Sequence, residues 1–142
     1  GETDTELALA LAASRRPERI VVLAGQAGCE RLDHLVTTFG ALGAPNLAGV
    51  GVLEAWWGGD RLHVVHGPGK VELDVDRGAT FSVLAMHGPC HGVTVEGARW
   101  PLVDHDLEPL VGLGVSNEAA ARRVSVSVTT GIVTVIIPGE PT

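Results

Sequence analysis

After Asn46, the sequence consists of short apolar runs separated by turn signals, and this pattern constrains the fold more than any other feature. Predicted strands lie at residues 49–55, 61–66, 70–75, 80–86, 92–95, 108–113, 123–129 and 132–137. Between them stand turn sequences such as "GPG" and "TTG", and most of the chain's 19 glycines lie in this part. In the run 123–129, valines alternate with serine or threonine, which predicts a strand with one exposed face. The whole pattern predicts an antiparallel β-sandwich or barrel.

The residues before this point follow a different pattern. A capping box formed by Thr3 and Glu6 predicts a helix over residues 4–15. The continuous apolar run "IVVLA", residues 20–24, indicates a strand that is buried on both faces. Apolar residues spaced three and four apart then predict a second helix over residues 30–42.

The predicted fold class is therefore α/β plus all-β: a partial parallel α/β unit, helix–strand–helix, followed by an antiparallel β-sandwich. The change of pattern places the predicted domains at residues 1–46 and 47–142. A length of 142 residues suits one domain or two very small ones.

Composition and charge narrow the class of protein. A net charge of −7 argues against general binding to nucleic acid or to a membrane surface, because both need a basic face. No apolar run is long enough to cross a membrane, and the acidic start is unlike a signal peptide. The two cysteines, Cys29 and Cys90, lie too far apart in sequence to indicate a disulfide framework. We therefore expect a cytoplasmic protein with free thiols.

The segment "GQAGCERLDH", residues 25–34, follows the predicted strand and opens the second helix. Exposed backbone N–H groups at such a position form an anion site. A G-x-x-G pattern is a weak signal by itself, and Arg31 and Asp33 are equally consistent with a solvated first helical turn. Asp4 is likewise consistent with a solvated acidic residue in the first turn of a capped helix.

Two further motifs leave alternatives open. His87 to His91, "HGPCH", contains three soft metal ligands, but the spacing matches no common zinc pattern and Gly-Pro favours a turn. Trp100 stands in "GARWPL", where a tryptophan fills a core or lies flat against a planar or cationic ligand.

Four segments, in this order, resemble thiamine pyrophosphokinases: "TDTELALALA" at residues 3–12, "RLDH" at 31–34, "FSVLAMHGPCHGVTVEGARWPL" at 81–102 and "GVSNE" at 114–118. The resemblance covers nearly the whole chain. It implies transfer of pyrophosphate from ATP to thiamine, giving thiamine diphosphate and AMP, with Mg²⁺ as cofactor and a homodimer as the assembly. By this resemblance, the first predicted domain is the C-terminal part of an α/β nucleotide-binding domain, and the second is a β-sandwich that binds thiamine.

The resemblance also implies roles for residues on the phosphate side. Asp4 matches the Asp of the family's Thr-Asp motif, which implies a catalytic role near Mg²⁺ and the reacting phosphates. Arg31 and Asp33 match the family's Arg-x-Asp after the glycine turn. Arg31 would stabilise phosphate charge, and Asp33 would orient Arg31 or a metal-bound water.

Three residues match the thiamine side of the family. Ser116 and Asn117 match a Ser-Asn pair beside thiamine, and their donors and acceptors suit an aminopyrimidine. Trp100 matches an aromatic residue in the same domain, and its ring suits a flat group next to a cationic thiazolium. In a second interpretation, Trp100 only supports the pocket wall.

The sequence departs from the family pattern at two points. Glu30, after Cys29, stands where the family's glycine turn has a glycine, and its charge would repel phosphate unless it points away. The family's N-terminal strands and the acidic loop that holds Mg²⁺ have no counterpart here, so we expect this chain alone to be inactive. Two other hypotheses stay open: a non-catalytic thiamine- or nucleotide-binding relative, and a β-sandwich interaction module.

Overall fold

The computed structural model describes residues 1–24 and 31–139. Within them, helix α1 spans Asp4–Ser14 and helix α2 spans Leu32–Ala41. The strands are β1 Arg19–Ala24, β2 Val52–Trp57, β3 Asp60–His66, β4 Gly69–Asp74, β5 Thr80–Leu84, β6 Cys90–Glu96, β7 Leu102–Leu107, β8 Asn117–Glu118, β9 Arg123–Val128 and β10 Ile132–Ile137. Short 3₁₀ helices lie at Pro45–Leu47 and Gly112–Gly114. Neither α-helix is long and apolar enough to cross a membrane.

The strands form two sheets. One has the order β1-β2-β3-β10-β5-β8, and the other has the order β4-β9-β6-β7. Strand β1 pairs with β2 in parallel, whereas the remaining strand pairings are antiparallel. The predicted fold class is confirmed: a helix–strand–helix unit with a parallel strand pair precedes an antiparallel β-sandwich.

The six-stranded sheet separates two hydrophobic cores. Both helices pack on one face, over a core that includes Leu42, Leu47 and Leu53. The other face packs on the four-stranded sheet, over a core that includes Phe81 and Val135. Strands that follow residue 46 in the chain therefore complete the core beneath the helices. The division into domains at 1–46 and 47–142 stays a prediction.

Several local predictions are confirmed. Thr3 caps α1: its backbone N–H donates to Glu6 Oε2 at 2.6 Å, and its Oγ1 accepts from the Glu6 N–H at 3.2 Å. In β9, the three valines are at most 3% exposed, while the residues between them are less buried. This alternation places one face of β9 in the sandwich core, as the sequence pattern predicts.

Two local predictions are wrong. Residues 108–113 do not form a strand, because Leu110 has a left-handed φ of 55° that strands do not adopt. The strand of this region is β7, Leu102–Leu107. Strand β1 is not buried on both faces, since Leu23 is 82% exposed. The cause is its place at the end of the sheet: the described residues cover its helix-facing side and leave Leu23 on the other.

Two histidines attach the C-terminal end of α2 to the sandwich. His87 Nε2 donates to the Phe39 carbonyl at 2.7 Å, and His66 Nε2 donates to the Leu42 carbonyl at 3.0 Å. The last carbonyls of a helix have no partner within it, so these bonds satisfy acceptors that would otherwise be unpaired. The predicted turn "HGPCH" lies at the connection between β5 and β6, and His87 is one of the two histidines.

A polar pair lies on the opposite face of the sheet. Glu54 in β2 and His63 in β3 are paired across the two strands and are 5% and 8% exposed. Burial raises the pKa of Glu54, but bonds from Arg19 Nη2 at 2.7 Å and Trp56 Nε1 at 2.8 Å outweigh it and hold the pKa below its usual value. Burial lowers the pKa of His63 to about 4, so the imidazole is neutral at neutral pH.

We predict that Gly43→Ala destabilises the protein. A Cβ on Gly43 would lie 2.1 Å from His87 Cδ2, so the imidazole would have to leave the Phe39 carbonyl. A clash of this kind costs about 1–3 kcal/mol of unfolding free energy, measured by urea denaturation. The matched control is Gly40→Ala in α2, where a Cβ meets nothing within 4 Å and helix propensity should raise stability. Equal stability of the two variants would contradict the role of His87.

We also predict that stability decreases as the pH falls from 6.5 to about 4. In this window the unfolded chain binds a proton at His63 and the folded protein does not, so protonation favours unfolding. The lowered pKa of His63 is equivalent to a loss of at most about 3 kcal/mol of unfolding free energy. His63→Leu should flatten the pH dependence of the urea midpoint in this window, whereas His105→Gln, at an exposed position, should leave it unchanged. An unaltered slope in His63→Leu would refute the assignment.

Candidate functional site

Four of the residues that the sequence singles out line two different clefts, whereas Arg31 and Asp33 line neither of them. Asp4, at the start of α1, lines a cleft of about 320 Å³ together with residues of α2, among them His34 and Thr37. Trp100, Ser116 and Asn117 line a second cleft of about 220 Å³ at the edge of the sandwich. The structure thus brings the thiamine-side residues together and places Asp4 beside the helix that carries Arg31 and Asp33.

The first cleft lies beside the N-terminus of α1. Asp4 is the first residue of this helix, and its side chain is exposed. A carboxylate at this position is stabilised by the positive end of the helix dipole. It is also free of the capping bonds, which Thr3 and Glu6 make between themselves. Asp4 can therefore face a ligand without loss of the helix cap.

Arg31 and Asp33 form a bidentate pair in front of α2. Arg31 Nε donates to Asp33 Oδ1 at 3.1 Å, and Arg31 Nη2 donates to Oδ2 at 2.5 Å. The Arg31 hydrogen bonds are the main cause that lowers the pKa of Asp33, and the His34 N–H adds a bond at 3.0 Å. The pair is well exposed, at 72% and 59% of the two side chains. Because a guanidinium has five N–H donors, Arg31 can bind Asp33 and still donate to an anion.

Asp4 and this pair occupy the starts of two adjacent helices. The cleft of Asp4 is lined by His34, the residue that follows Asp33, but Arg31 and Asp33 are not among its lining residues. The turn between β1 and α2, with Cys29 and Glu30, lies outside the described residues. Residues 1–24 and 31–139 contain no group of three His, Cys, Asp or Glu side chains placed to hold a metal ion. A single carboxylate at Asp4 does not make a magnesium site by itself.

In the second cleft, Asn117 is mainly engaged with the backbone of Trp100. Its Oδ1 accepts from the Trp100 N–H at 3.2 Å and from the Glu118 N–H at 2.8 Å. Its Nδ2 donates to the Trp100 carbonyl at 2.8 Å. The side chain is 6% exposed, and these bonds leave one amide N–H for a ligand. Asn117 therefore holds the segment of Trp100 in place and offers at most one donor to the cleft.

Trp100 is 53% exposed. The guanidinium carbon of Arg99 lies 4.8 Å from the ring centroid, and Arg99 Nη1 lies 3.3 Å from Glu118 Oε2. A cation is attracted to the electron-rich face of an indole. The ion pair with Glu118 thus keeps Arg99 over the ring, and the stack restrains an aromatic surface that solvent still reaches.

Ser116 and two apolar residues complete the cleft. Ser116 has a left-handed φ of 59°, and its backbone N–H donates to Ser82 Oγ at 3.1 Å. A non-glycine residue in this region costs about 1–3 kcal/mol and often marks a functional position. Leu113 and Val115 are 54% and 46% exposed and form apolar walls. An exposed indole, apolar walls, a hydroxyl and one amide donor together suit a flat heteroaromatic ring.

Sequence reasoning missed several residues that shape the two clefts. Arg99 and Glu118 each stand next to a predicted residue in the quoted motifs, and that adjacency was the available signal. Val115 follows residues 108–113, which the sequence pattern predicts to be a strand, and this prediction gives no reason to expect that Val115 is exposed. His34 and Thr37 are three residues apart and therefore share one face of α2. The interpretation of the start of this helix as a solvated turn does not consider that face.

A comparison with protein families matches the part of the chain that contains the second cleft. The family model described as "Thiamin pyrophosphokinase, vitamin B1 binding domain" matches residues 70–133, which include Trp100, Ser116 and Asn117. No curated protein matches the chain.

Solved structures give the same answer for the fold. The thiamine pyrophosphokinase of Bacillus subtilis superposes with a TM-score of 0.81 at 22% identity, over 99% of this chain and 64% of that one. The enzyme of Geobacillus thermodenitrificans gives 0.77 at 23% identity, over 100% and 65%. That of Candida albicans gives 0.65 at 16% identity, over 84% and 44%.

The chain therefore spans about two thirds or less of the length of these structures. The resemblance drawn from the four sequence segments is confirmed: residues 70–133 match the family model of the thiamine pyrophosphokinase vitamin B1 binding domain, and the chain as a whole has the fold of the solved enzymes.

Proposed function

We propose that this chain binds thiamine and takes part in the transfer of pyrophosphate from ATP to thiamine, giving thiamine diphosphate and AMP. The observation that carries the proposal is the cleft of Trp100, Ser116 and Asn117, which lies within the residues that match a vitamin B1 binding domain. Thiamine consists of an aminopyrimidine and a cationic thiazolium, both flat. Trp100 is an exposed residue, and its indole ring offers a matching flat and electron-rich surface.

The polar groups of the cleft supply specificity in this proposal. The Ser116 hydroxyl both donates and accepts, and the unused N–H of Asn117 donates, so together they recognise the ring nitrogens and amino group of the pyrimidine. Leu113 and Val115 exclude water from its apolar edge. Arg99 is a positioning residue: its charge is neutralised by Glu118, so it restrains Trp100 without strongly repelling the thiazolium.

On the phosphate side, we propose that Arg31 binds the triphosphate and that Asp33 orients it. The thiamine hydroxyl would attack the β-phosphorus of ATP in line, the bond from that phosphorus to the α-phosphate oxygen would break, and AMP would leave. Charge stabilisation carries most of the catalysis in such transfers, which is the role of Arg31. Asp4 would approach the same phosphates from α1. The described residues contain no group of three His, Cys, Asp or Glu side chains placed to hold a metal ion, and Asp4 would supply one carboxylate to an Mg²⁺ ion held mainly by the substrate phosphates.

A non-catalytic thiamine-binding relative is the second candidate. It is favoured by the separation of the residues, because Asp4 and Trp100 line different clefts. The β-sandwich interaction module has no observation in its favour. We also propose a homodimer: apolar side chains shortly before Leu113 in the chain are exposed, including Leu110 at 69% and Val111 at 54%, and a second copy would cover them. A cytoplasmic location stays a prediction.

We predict saturable binding of thiamine to this chain, measured by isothermal titration calorimetry. Trp100→Ala should weaken binding about tenfold or more, because stacking on an aromatic ring contributes about 1–3 kcal/mol. Trp57→Phe is the matched control, since Trp57 packs against Phe39 at the helix-facing core and should leave affinity unchanged.

Asn117→Ala should reduce both thiamine affinity and unfolding free energy, because it removes the three bonds that fix Trp100 and Glu118. No detectable heat with the parent chain at millimolar thiamine would exclude thiamine binding by this chain. Equal losses in Trp100→Ala and Trp57→Phe would show that the cleft is not the binding site.

We further predict how the phosphate-side residues affect AMP release. The assay uses a protein extended to the full length of the solved relatives, with ATP and thiamine at saturation. Arg31→Gln should reduce kcat about 100-fold or more, because it removes charge stabilisation of the transition state. Asp33→Asn should have a smaller effect, since it alters only the orientation of Arg31.

Asp4→Asn should remove most turnover and leave thiamine affinity largely intact. Arg123→Gln, at an exposed arginine of β9, is the matched control for loss of a positive charge. If the extended protein binds both substrates and releases no AMP, the non-catalytic candidate is correct.

A further inference from the structure

A third cleft lies at the mouth of the sandwich, where β3 and β10 face the end of β4. It has a volume of about 340 Å³. Four charged residues of both signs and four apolar residues line the cleft. They are Arg61, Asp74, Asp76 and Arg122, and Val75, Ala79, Ile137 and Pro138. None of these residues belongs to the two clefts of the proposed function.

The charged groups of this cleft are not paired with one another. Across the described ranges, Arg61, Arg122, Asp74 and Asp76 take part in no ion pair. These groups line one cavity without pairing, and the Arg61 guanidinium carbon lies 5.6 Å from the Trp56 ring centroid, so N–H donors and carboxylate acceptors stay available in the cleft. Other charged residues nearby do pair, as Arg123 does with Glu72 at 3.9 Å.

A buried polar atom of the cleft also indicates a bound group. Arg61 Nε is buried and has no hydrogen-bond partner among the residues that the structure describes. Buried polar groups in folded proteins are nearly always satisfied by protein, water or a bound ion. An unsatisfied donor on a residue that lines a polar cleft therefore indicates a ligand or ordered solvent there.

The balance of charge limits the chemistry of the ligand. Two positive and two negative side chains give the cleft no net charge, so a simple anion gains little from the cleft as a whole. The arginines match a phosphate or carboxylate, and the aspartates accept from hydroxyl groups. Ile137, Val75 and Ala79 accommodate a short carbon skeleton.

We propose that this cleft binds a small phosphorylated polyol, with its phosphate on Arg61 and Arg122 and its hydroxyl groups on Asp74 and Asp76. The site is independent of the proposed thiamine and ATP sites. It joins a strand of the six-stranded sheet to the end of β4, so an occupant would connect the two sheets at the open end of the sandwich.

The test is calorimetric titration of the chain with three probes: ribose 5-phosphate, inorganic phosphate and ribose. We expect saturable binding of ribose 5-phosphate that is at least about tenfold tighter than that of either other probe, because only this probe engages both charge types. Arg122→Gln and Asp76→Asn should each weaken ribose 5-phosphate about tenfold or more. Both positions are exposed, so these variants should fold.

Two controls locate the binding. Arg123→Gln, next to Arg122 and outside the cleft, should leave affinity unchanged. Arg31→Gln should also leave it unchanged, and loss of binding in that variant would assign the phosphate to the site in front of α2 instead. The proposal is overturned if ribose 5-phosphate does not bind at millimolar concentration, if inorganic phosphate binds as tightly, or if Arg122→Gln binds normally.

Discussion

Strands β3 and β10 pair over six residues in the middle of the larger sheet, and both hydrophobic cores depend on this pairing. On one face, Leu62 and Val64 of β3 belong to the core beneath the helices. On the other face, Val133 and Val135 of β10, both 0% exposed, belong to the sandwich core. A change in the register of this strand pair by one residue would exchange the two faces and empty both cores. The last strand of the chain thus completes a sheet that begins with β1.

The clefts lie where this framework ends. The helices begin at one side of the sheet, and their first turns carry Asp4, Arg31 and Asp33 on exposed positions. The Trp100 cleft lies at the edge of the sandwich, where the short strand β8 pairs with β5 and places Asn117 next to Trp100. In both cases a rigid element holds the side chains while the ligand-facing atoms stay accessible, as binding sites require. The two sites are nevertheless separate clefts in this chain.

The sequence predicted those parts of the fold that local periodicity determines. The capping box at Thr3 and the valine alternation of β9 gave the correct elements, because the relevant contacts are within a few residues. The segment around Leu110 was predicted incorrectly, since its apolar residues resemble a strand and its left-handed turn leaves no mark in composition. Exposure of Leu23 was not predictable either, because burial of a strand depends on what covers each face.

The candidate site was predicted by resemblance more than by chemistry. Trp100, Ser116 and Asn117 do lie together, but their contacts differ from what residue type suggests. Two of the three hydrogen bonds of the Asn117 side chain are made with the backbone of Trp100. The structure also places the Arg99 guanidinium over the Trp100 ring. The contacts between Asn117 and Trp100 join residues 17 positions apart and need the tertiary fold before they can be seen.

Helix α2 is fixed at one end and carries, at the other, the pair for which we propose a role in phosphate binding. Its C-terminal carbonyls are bonded to His66 and His87, while the Arg31–Asp33 pair stands at its start. Each residue inserted into or deleted from this helix would rotate that pair by about 100° and move it by about 1.5 Å along the axis. The length of α2 is therefore under constraint independently of its sequence. Substitutions on its exposed face should be tolerated far better than a single insertion or deletion within it.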